Sequence, residues 1–300
     1  MIEQIPEKFR KEIDFYVQEY GAELSLHDYI APLQEECFPS LLSKLERREP
    51  TWTPEQRVAD ATKHLFGGHD VLCRGIAKRV VDDDPSELAR AASLFARLRL
   101  WFGTRNEYND YDCFAPDMLR ALAGGDVMVI ERFAEVAPST VTKGGWESRV
   151  IHNGVIAAIN RDDRLLEEAI SDFEKWKKPK NFIASIVTAL RGLVAKDAGL
   201  VNDGLTSLLK GSGRIQQLHD LYKLISLETH GMYELARRYH PEMVREFDTT
   251  QGLPWDEALC AWVAESDDAL PFLDVSSLSV ELQRWLVELP FRDALRHDWN

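Results

Sequence analysis

Apolar residues recur at three- and four-residue spacing along almost the whole chain, and strict alternation over strand-like lengths is hard to find. Such spacing gives each segment one apolar stripe on a helix and no apolar face for a sheet, so the fold class it predicts is all-α. With 45% hydrophobic residues over 300 positions, there is enough apolar surface for a substantial core, in one large helical domain or two smaller ones.

Local signals cut this pattern into elements. Residues 6–20 read as a helix with Phe9, Ile13, Tyr16, Val17 and Tyr20 inward, and residues 26–48 as a second that stops before Pro50. Thr53-Pro54-Glu55-Gln56 offers an N-cap, a proline at the first helical position and polar side chains in the first turn. Helices follow over 70–81, stopped by Asp82-Asp83-Asp84, and over 86–102, with Gly103 as C-cap. Residues 1–104 are thus expected to form an N-terminal helical bundle portion, separated by the loop 104–112 from a second portion over 113–300. The two portions can equally form one continuous domain.

In the second portion three stretches share one pattern: Leu119 to Ile130, Val155 to Leu166 and Leu190 to Val201. Each has an Ala/Leu-rich helix end, a polar turn holding an aspartate, and a second helix that opens on apolar residues. The aspartates Asp126, Asp163 and Asp197 lie 37 and 34 residues apart, the period of paired-helix repeats, although the full tetratricopeptide consensus is absent. One hairpin cannot bury its apolar face alone, so the expectation is a repeat-like array, tetratricopeptide-like in part, with a concave side and with these aspartates as N-caps. Residues 215–239 continue helical with a break near Gly231. Pro241 and Pro254 mark turns before helices over 255–263 and 279–289.

Motifs that carry chemistry are missing. The eight histidines form no H-E-x-x-H or E-x-x-H pair, and His230 with Glu234, which share a helix face, read as a structural pair. There is no nucleophile elbow, phosphate loop or dinucleotide fingerprint. Lys210-Gly211-Ser212-Gly213-Arg214 follows a helix and reads as a turn. Lys175-Trp176-Lys177-Lys178-Pro179-Lys180 reads as a helix end, where cations complement the dipole. Cys37, Cys73, Cys113 and Cys260 stand far apart in apolar-periodic segments and read as reduced core residues. No catalytic residue, metal or cofactor is expected.

Net charge narrows the partners. The formal charge is −14, concentrated in the first and last fifty residues. That field repels nucleic acid and anionic membranes and favours a basic protein partner, or serves solubility alone. The amino terminus carries no signal-peptide or anchor pattern, so a cytoplasmic location is expected. The loop 104–112 has the most unusual composition in the chain. Glu107, Asp110 and Asp112 interleave with Tyr108 and Tyr111, combining negative charge with rigid aromatic area, as suits docking on a basic surface. The alternative is a solvated helix connection whose tyrosines pack back on the fold.

The carboxy-terminal third carries a resemblance. Glu228-Thr-His230-Gly-Met-Tyr-Glu-Leu-Ala-Arg-Arg-Tyr, then Phe247-Asp248, then Leu253-Pro254-Trp255-Asp256-Glu257-Ala-Leu-Cys-Ala-Trp262 resembles all-helical bacterial immunity proteins of the Immunity 49 type, from polymorphic and type VI secreted toxin systems. With the hairpins, the similarity spans roughly 113–265. The resemblance implies a cognate inhibitor that binds a secreted toxin, often a nuclease, and occludes its active site, with no catalytic residues of its own. A helical-repeat adaptor without a toxin partner is the other reading, and a helical hydrolase or metal enzyme the third. Trp255 is expected to be structural.

Overall fold

The computed structural model of the chain describes residues 5–20, 35, 37–65, 69–102, 110–136, 139–141, 145–177, 181–212, 220–245, 247–250, 252–266 and 279–288. Its regular structure is helical throughout, with no strand among the described residues. The amino-terminal elements are α1 (Glu7–Tyr20), α2 (Phe38–Arg48), α3 (Pro54–Leu65), α4 (His69–Asp82) and α5 (Pro85–Phe102). Phe9, Ile13 and Tyr16 seat α1 against α4, as the apolar stripe predicted. Before α3 the Thr53 hydroxyl accepts from the Gln56 N–H at 3.2 Å while the Gln56 side-chain oxygen accepts from the Thr53 N–H at 2.9 Å. This reciprocal capping box satisfies two donors that the helix cannot satisfy itself. Residues 26–34 of the expected second helix, and the Gly103 cap, lie outside the described residues.

Three hairpins follow: α6 (Asp110–Ala123) with α7 (Val127–Val136), α8 (Trp146–Ile159) with α9 (Asp163–Glu174), and α10 (Asn181–Ala195) with α11 (Ala198–Ser212). Their turns are the same object three times. The Asp126 N–H reaches the Ala121 carbonyl and the Gly125 N–H the Leu122 carbonyl; Asp162 to Ala157 with Arg161 to Ala158, and Asp197 to Gly192 with Lys196 to Leu193, repeat the pair. Gly125, Arg161 and Lys196 sit at φ 77°, 53° and 52°. This is the Schellman arrangement, in which a left-handed residue closes one helix and the next residue opens another. Asp126, Asp162 and Asp197 then accept from the N–H three residues on, those of Val129, Leu165 and Leu200, at 3.2, 3.0 and 3.1 Å. The cap in the middle turn is therefore Asp162, not Asp163, which occupies the first helical position. With that one-residue change the spacings become 36 and 35, more even than the sequence suggested.

The first helices of the hairpins, α6, α8 and α10, pack side by side, and most of their described side chains are buried, whereas α7, α9 and α11 form the outer layer and are half exposed. On α6, α8 and α10 lies α12 (Leu227–Tyr239), preceded by a 3-10 turn over Asp220–Lys223 and followed by another over Pro241–Val244. The face that the first helices present, expected as an open concave surface, is thus occupied by the chain's own α12. Gly231 makes this contact possible. A Cβ there would stand 1.9 Å from the Leu119 carbonyl oxygen of α6, so α12 runs unbroken through Gly231, and the break expected near it falls instead at 224–226.

Two short helices follow among the described residues, α13 (Glu257–Glu265) against α5 and α14 (Val280–Glu288) against α3. Buried apolar residues form two clusters. One joins Phe38, Leu45 and Val58 to the hairpins and Trp255. The other joins Phe9, Ile13 and Phe95 to Leu221, Ile225, Leu259 and Val263. Each draws on both sides of the 104–112 segment.

Candidate functional site

Of the residues expected to dock a partner, Glu107 and Tyr108 lie outside the described residues. Asp110, Tyr111 and Asp112 belong to the first turn of α6 and not to a loop. Acidic residues at that position complement the positive end of a helix, which gives them a reason to be there without a partner.

The densest polar grouping is elsewhere, and it is buried. Three arginines on consecutive helices, Arg79 on α4, Arg97 on α5 and Arg120 on α6, each grip an acid at the start of a later helix. Arg79 donates from Nε and Nη2 to the two carboxylate oxygens of Asp256 at 2.7 and 2.9 Å, and from Nη1 to Asp83 at 2.6 Å. Arg97 forks onto Asp126 at 2.6 and 3.0 Å and donates from Nη1 to the Leu286 carbonyl. Arg120 donates from Nε and Nη2 to Glu228 at 3.2 and 2.9 Å and from Nη1 to Asp117 at 2.9 Å, with its guanidinium over the rings of Phe95 and Tyr222. Asp256 also caps α13 by accepting from the Leu259 N–H, and Asp126 caps α7 in the same way. Every guanidinium N–H named here has an acceptor, so these charges are satisfied where they lie.

Beside Asp256 sits an aromatic cluster. The His230 ring stacks on Trp255 at 4.0 Å and 7°, while Tyr233 and Phe247 meet Trp255 edge-on at 5.3 and 5.0 Å. His230 Nδ1 lies 2.8 Å from the Ser226 carbonyl, and its Nε2 accepts from the Asp256 N–H at 3.1 Å. These contacts fit a neutral ring protonated on Nδ1. Burial holds the His230 pKa below its ordinary value of 6.5. Glu234 turns away from His230 to Arg237 and Arg238, so the pair expected on that face is not formed. Trp255 is 1% exposed, as its structural reading required, and its indole N–H has no hydrogen-bond partner among the described residues.

The segment that carries the family resemblance is therefore an internal fastening. Glu228 ties α12 to α6, Gly231 lets the two helices touch, His230 and Trp255 stack, and Asp256 ties α13 to α4. Sequence reasoning missed the three arginines. The signal was their place within the apolar stripe, since an arginine there needs a buried acid.

Nothing in this grouping offers reaction chemistry. Among the described residues no group of three or more His, Cys, Asp or Glu side chains could hold a metal. Cys73 is buried and Cys260 half-buried, with burial pushing the Cys260 thiol up to about 11, which makes it a poor nucleophile at neutral pH. Cys37, by contrast, is exposed just before α2 and is no core residue. The Cys113 side chain lies outside what is described. No described helix is long and apolar enough to cross a membrane.

Charge is sorted by depth. The buried charged residues are the bases Arg74, Lys78, Arg79, Arg97 and Arg120 and the acids Glu87, Asp117, Asp126, Glu228, Glu234 and Asp256, so the two sets nearly cancel in number. The net charge of −14 accordingly rests on the rest of the chain. On the outer layer Glu131 and Glu135 of α7, Asp163, Glu167, Glu168, Asp172 and Glu174 of α9, and Asp203 of α11 are exposed, against Arg132, Arg164 and Lys210. Arg132 and Arg164 are spent on Glu135 and Glu168, whereas Glu131, Glu167 and Asp203 have no ion pair among the described residues. Compared with known proteins, the chain matches no family model, no curated protein and no solved structure.

Proposed function

We propose that this chain is an immunity protein that binds a cognate secreted toxin with a basic surface, such as a nuclease, and blocks its active site. The observation that carries the reading is the placement of charge: Arg79, Arg97 and Arg120 are paired with acids inside, while Glu131, Glu167 and Asp203 on the outer helices are exposed with no ion pair among the described residues. An exposed acidic field of this kind raises the association rate with a basic partner and rejects nucleic acid and other acidic surfaces. The resemblance of residues 228–262 to helical immunity proteins supports the same reading, with those residues holding the binding scaffold together from within.

A helical-repeat adaptor without a toxin partner is the competing reading; with α12 packed on α6, α8 and α10, it would use a surface other than that face. The experiment is genetic. Deleting the gene in a bacterium that makes a neighbouring toxin should cause self-intoxication, reversed by restoring the gene in trans. A deletion strain that grows normally among its toxin-producing siblings would rule the proposal out.

A further inference from the structure

His230 joins three pieces of the fastening. Its Nδ1 lies 2.8 Å from the Ser226 carbonyl at the start of α12, its ring stacks on Trp255, and its Nε2 accepts the Asp256 N–H at 3.1 Å. Asp256 in turn fixes the beginning of α13, since its carboxylate takes Arg79 and the Leu259 N–H while its carbonyl takes the Cys260 N–H. The first turn of α13 thus hangs on a residue whose own N–H depends on an imidazole lone pair.

That lone pair is also where a proton goes. With Nδ1–H turned to Ser226, a second proton enters at Nε2, which then points a donor at a donor. The Asp256 carbonyl, 3.2 Å from Nε2, is the other atom in reach, and it already closes the first turn of α13. His230 is buried, so water does not replace the lost acceptor while the contact is closed.

Two carboxylates act on the ring, Asp256 and Glu228, and both favour a charge on it. Each is already engaged by an arginine: Asp256 by Arg79 of α4, which also holds Asp83, and Glu228 by Arg120 of α6, which also holds Asp117. Glu234, one turn along α12, is held by Arg237 and Arg238. Burial pushes Tyr233 up to about 12 and Cys260 up to about 11, so neither carries charge near neutral pH. Burial outweighs the attraction at His230, and the closed contact takes up a proton less readily than an open one.

The piece that this contact holds is α13. Nine residues do not keep a helix in water by themselves, and α13 is seated on α5 by Leu259 and Val263, buried in the cluster with Phe95. The turns of the hairpins are closed by their own bonds and use none of these contacts.

We propose that His230 is an acid-operated latch: proton uptake at Nε2 removes the acceptor of the Asp256 N–H, and α13 leaves α12 and its seat on α5 while the hairpins stay folded. Opening bares Leu259 and Val263.

Amide hydrogen exchange on the full-length protein, corrected for the pH dependence of the exchange chemistry, tests this. From about pH 7 to about pH 5, protection of Asp256, Leu259 and Cys260 should fall at least about tenfold, with α10 and α11 unchanged. Imidazole nitrogen NMR shifts at the upper pH should show a neutral ring with its proton on Nδ1. His230→Gln, which keeps an acceptor and takes up no proton, should hold the protection of 256–260 constant over the same range. His230→Phe, which keeps the stack, should do the same and serves where the first variant does not fold. A proton on Nε2 at the upper pH, wild-type protection at 256–260 that ignores pH, a fall shared by α10 and α11, or the same fall in either folded variant would each overturn the proposal.

Discussion

The hairpins from α8 to α11 and the segment from Ser226 to Val263 are both largely helical, yet they are held in opposite ways. In the hairpins each turn is written locally, by a left-handed residue, an aspartate after it and bonds that span no more than five residues. In the later segment the decisive contacts run from Asp256 to Arg79, 177 residues apart, and from Glu228 to Arg120, 108 apart. One region is a string of units whose turns are closed locally, and the other is a clasp between residues far apart in the chain.

The largest expected difference between them comes from removing a clasp arginine. Arg120→Leu leaves Glu228 and Asp117 buried without their cation, a loss of about 3–5 kcal/mol. Denaturant unfolding should show it, and the double variant with Glu228→Gln should recover part. Gly231→Ala puts a methyl into the Leu119 carbonyl and should cost roughly 1–3 kcal/mol, because two backbones must separate. The turn of the middle hairpin is closed by its own local bonds, with His240 beside Ala158, Arg161 and Asp163 as its distant neighbour. Asp162→Ala should cost about 1 kcal/mol, the value of one cap, with exchange rising in α9 before α12.

A pH series separates the regions further. The folded pKa of His230 is held below 6.5, so the unfolded chain binds the extra proton, and its contribution is intact above 6.5 and lost as pH falls toward the folded value. Stability should fall by up to about 1.4 kcal/mol per pH unit in that window. His240, half-buried and also held below its ordinary value by burial, adds to the slope, so His230→Gln should flatten it in part. Smallest of all, Lys196→Gly relieves a left-handed lysine and should add on the order of 0.5 kcal/mol, less than the full strain because glycine also loosens the unfolded chain.

This contrast accounts for what could be read in the sequence. The all-α class, the N-cap at Thr53, the hairpins and their caps were legible because each depends on residues within one turn of one another. Even the Asp162 for Asp163 error is local, a choice between two adjacent aspartates that only the backbone decides. The clasp was not legible. Nothing near Arg79 points to Asp256, and nothing near Gly231 says that α6 will lie against it and close the expected groove. The proposed docking residues Glu107 to Asp112 were chosen by composition, and part of that composition serves a helix start.

Under the proposed function, binding kinetics with a purified toxin from a neighbouring gene would put the division of labour between inside and outside to the test. Association rates would be measured at low and high salt for the wild type, for Trp255→Phe and for the combined Glu131→Lys, Glu167→Lys, Asp203→Lys variant. If outer acids steer the partner while the clasp only holds the scaffold, the lysine variant associates at least about tenfold more slowly at low salt and the folded Trp255→Phe protein matches the wild type. A toxin that binds the lysine variant at the wild-type rate but loses the Trp255→Phe protein would contradict that division.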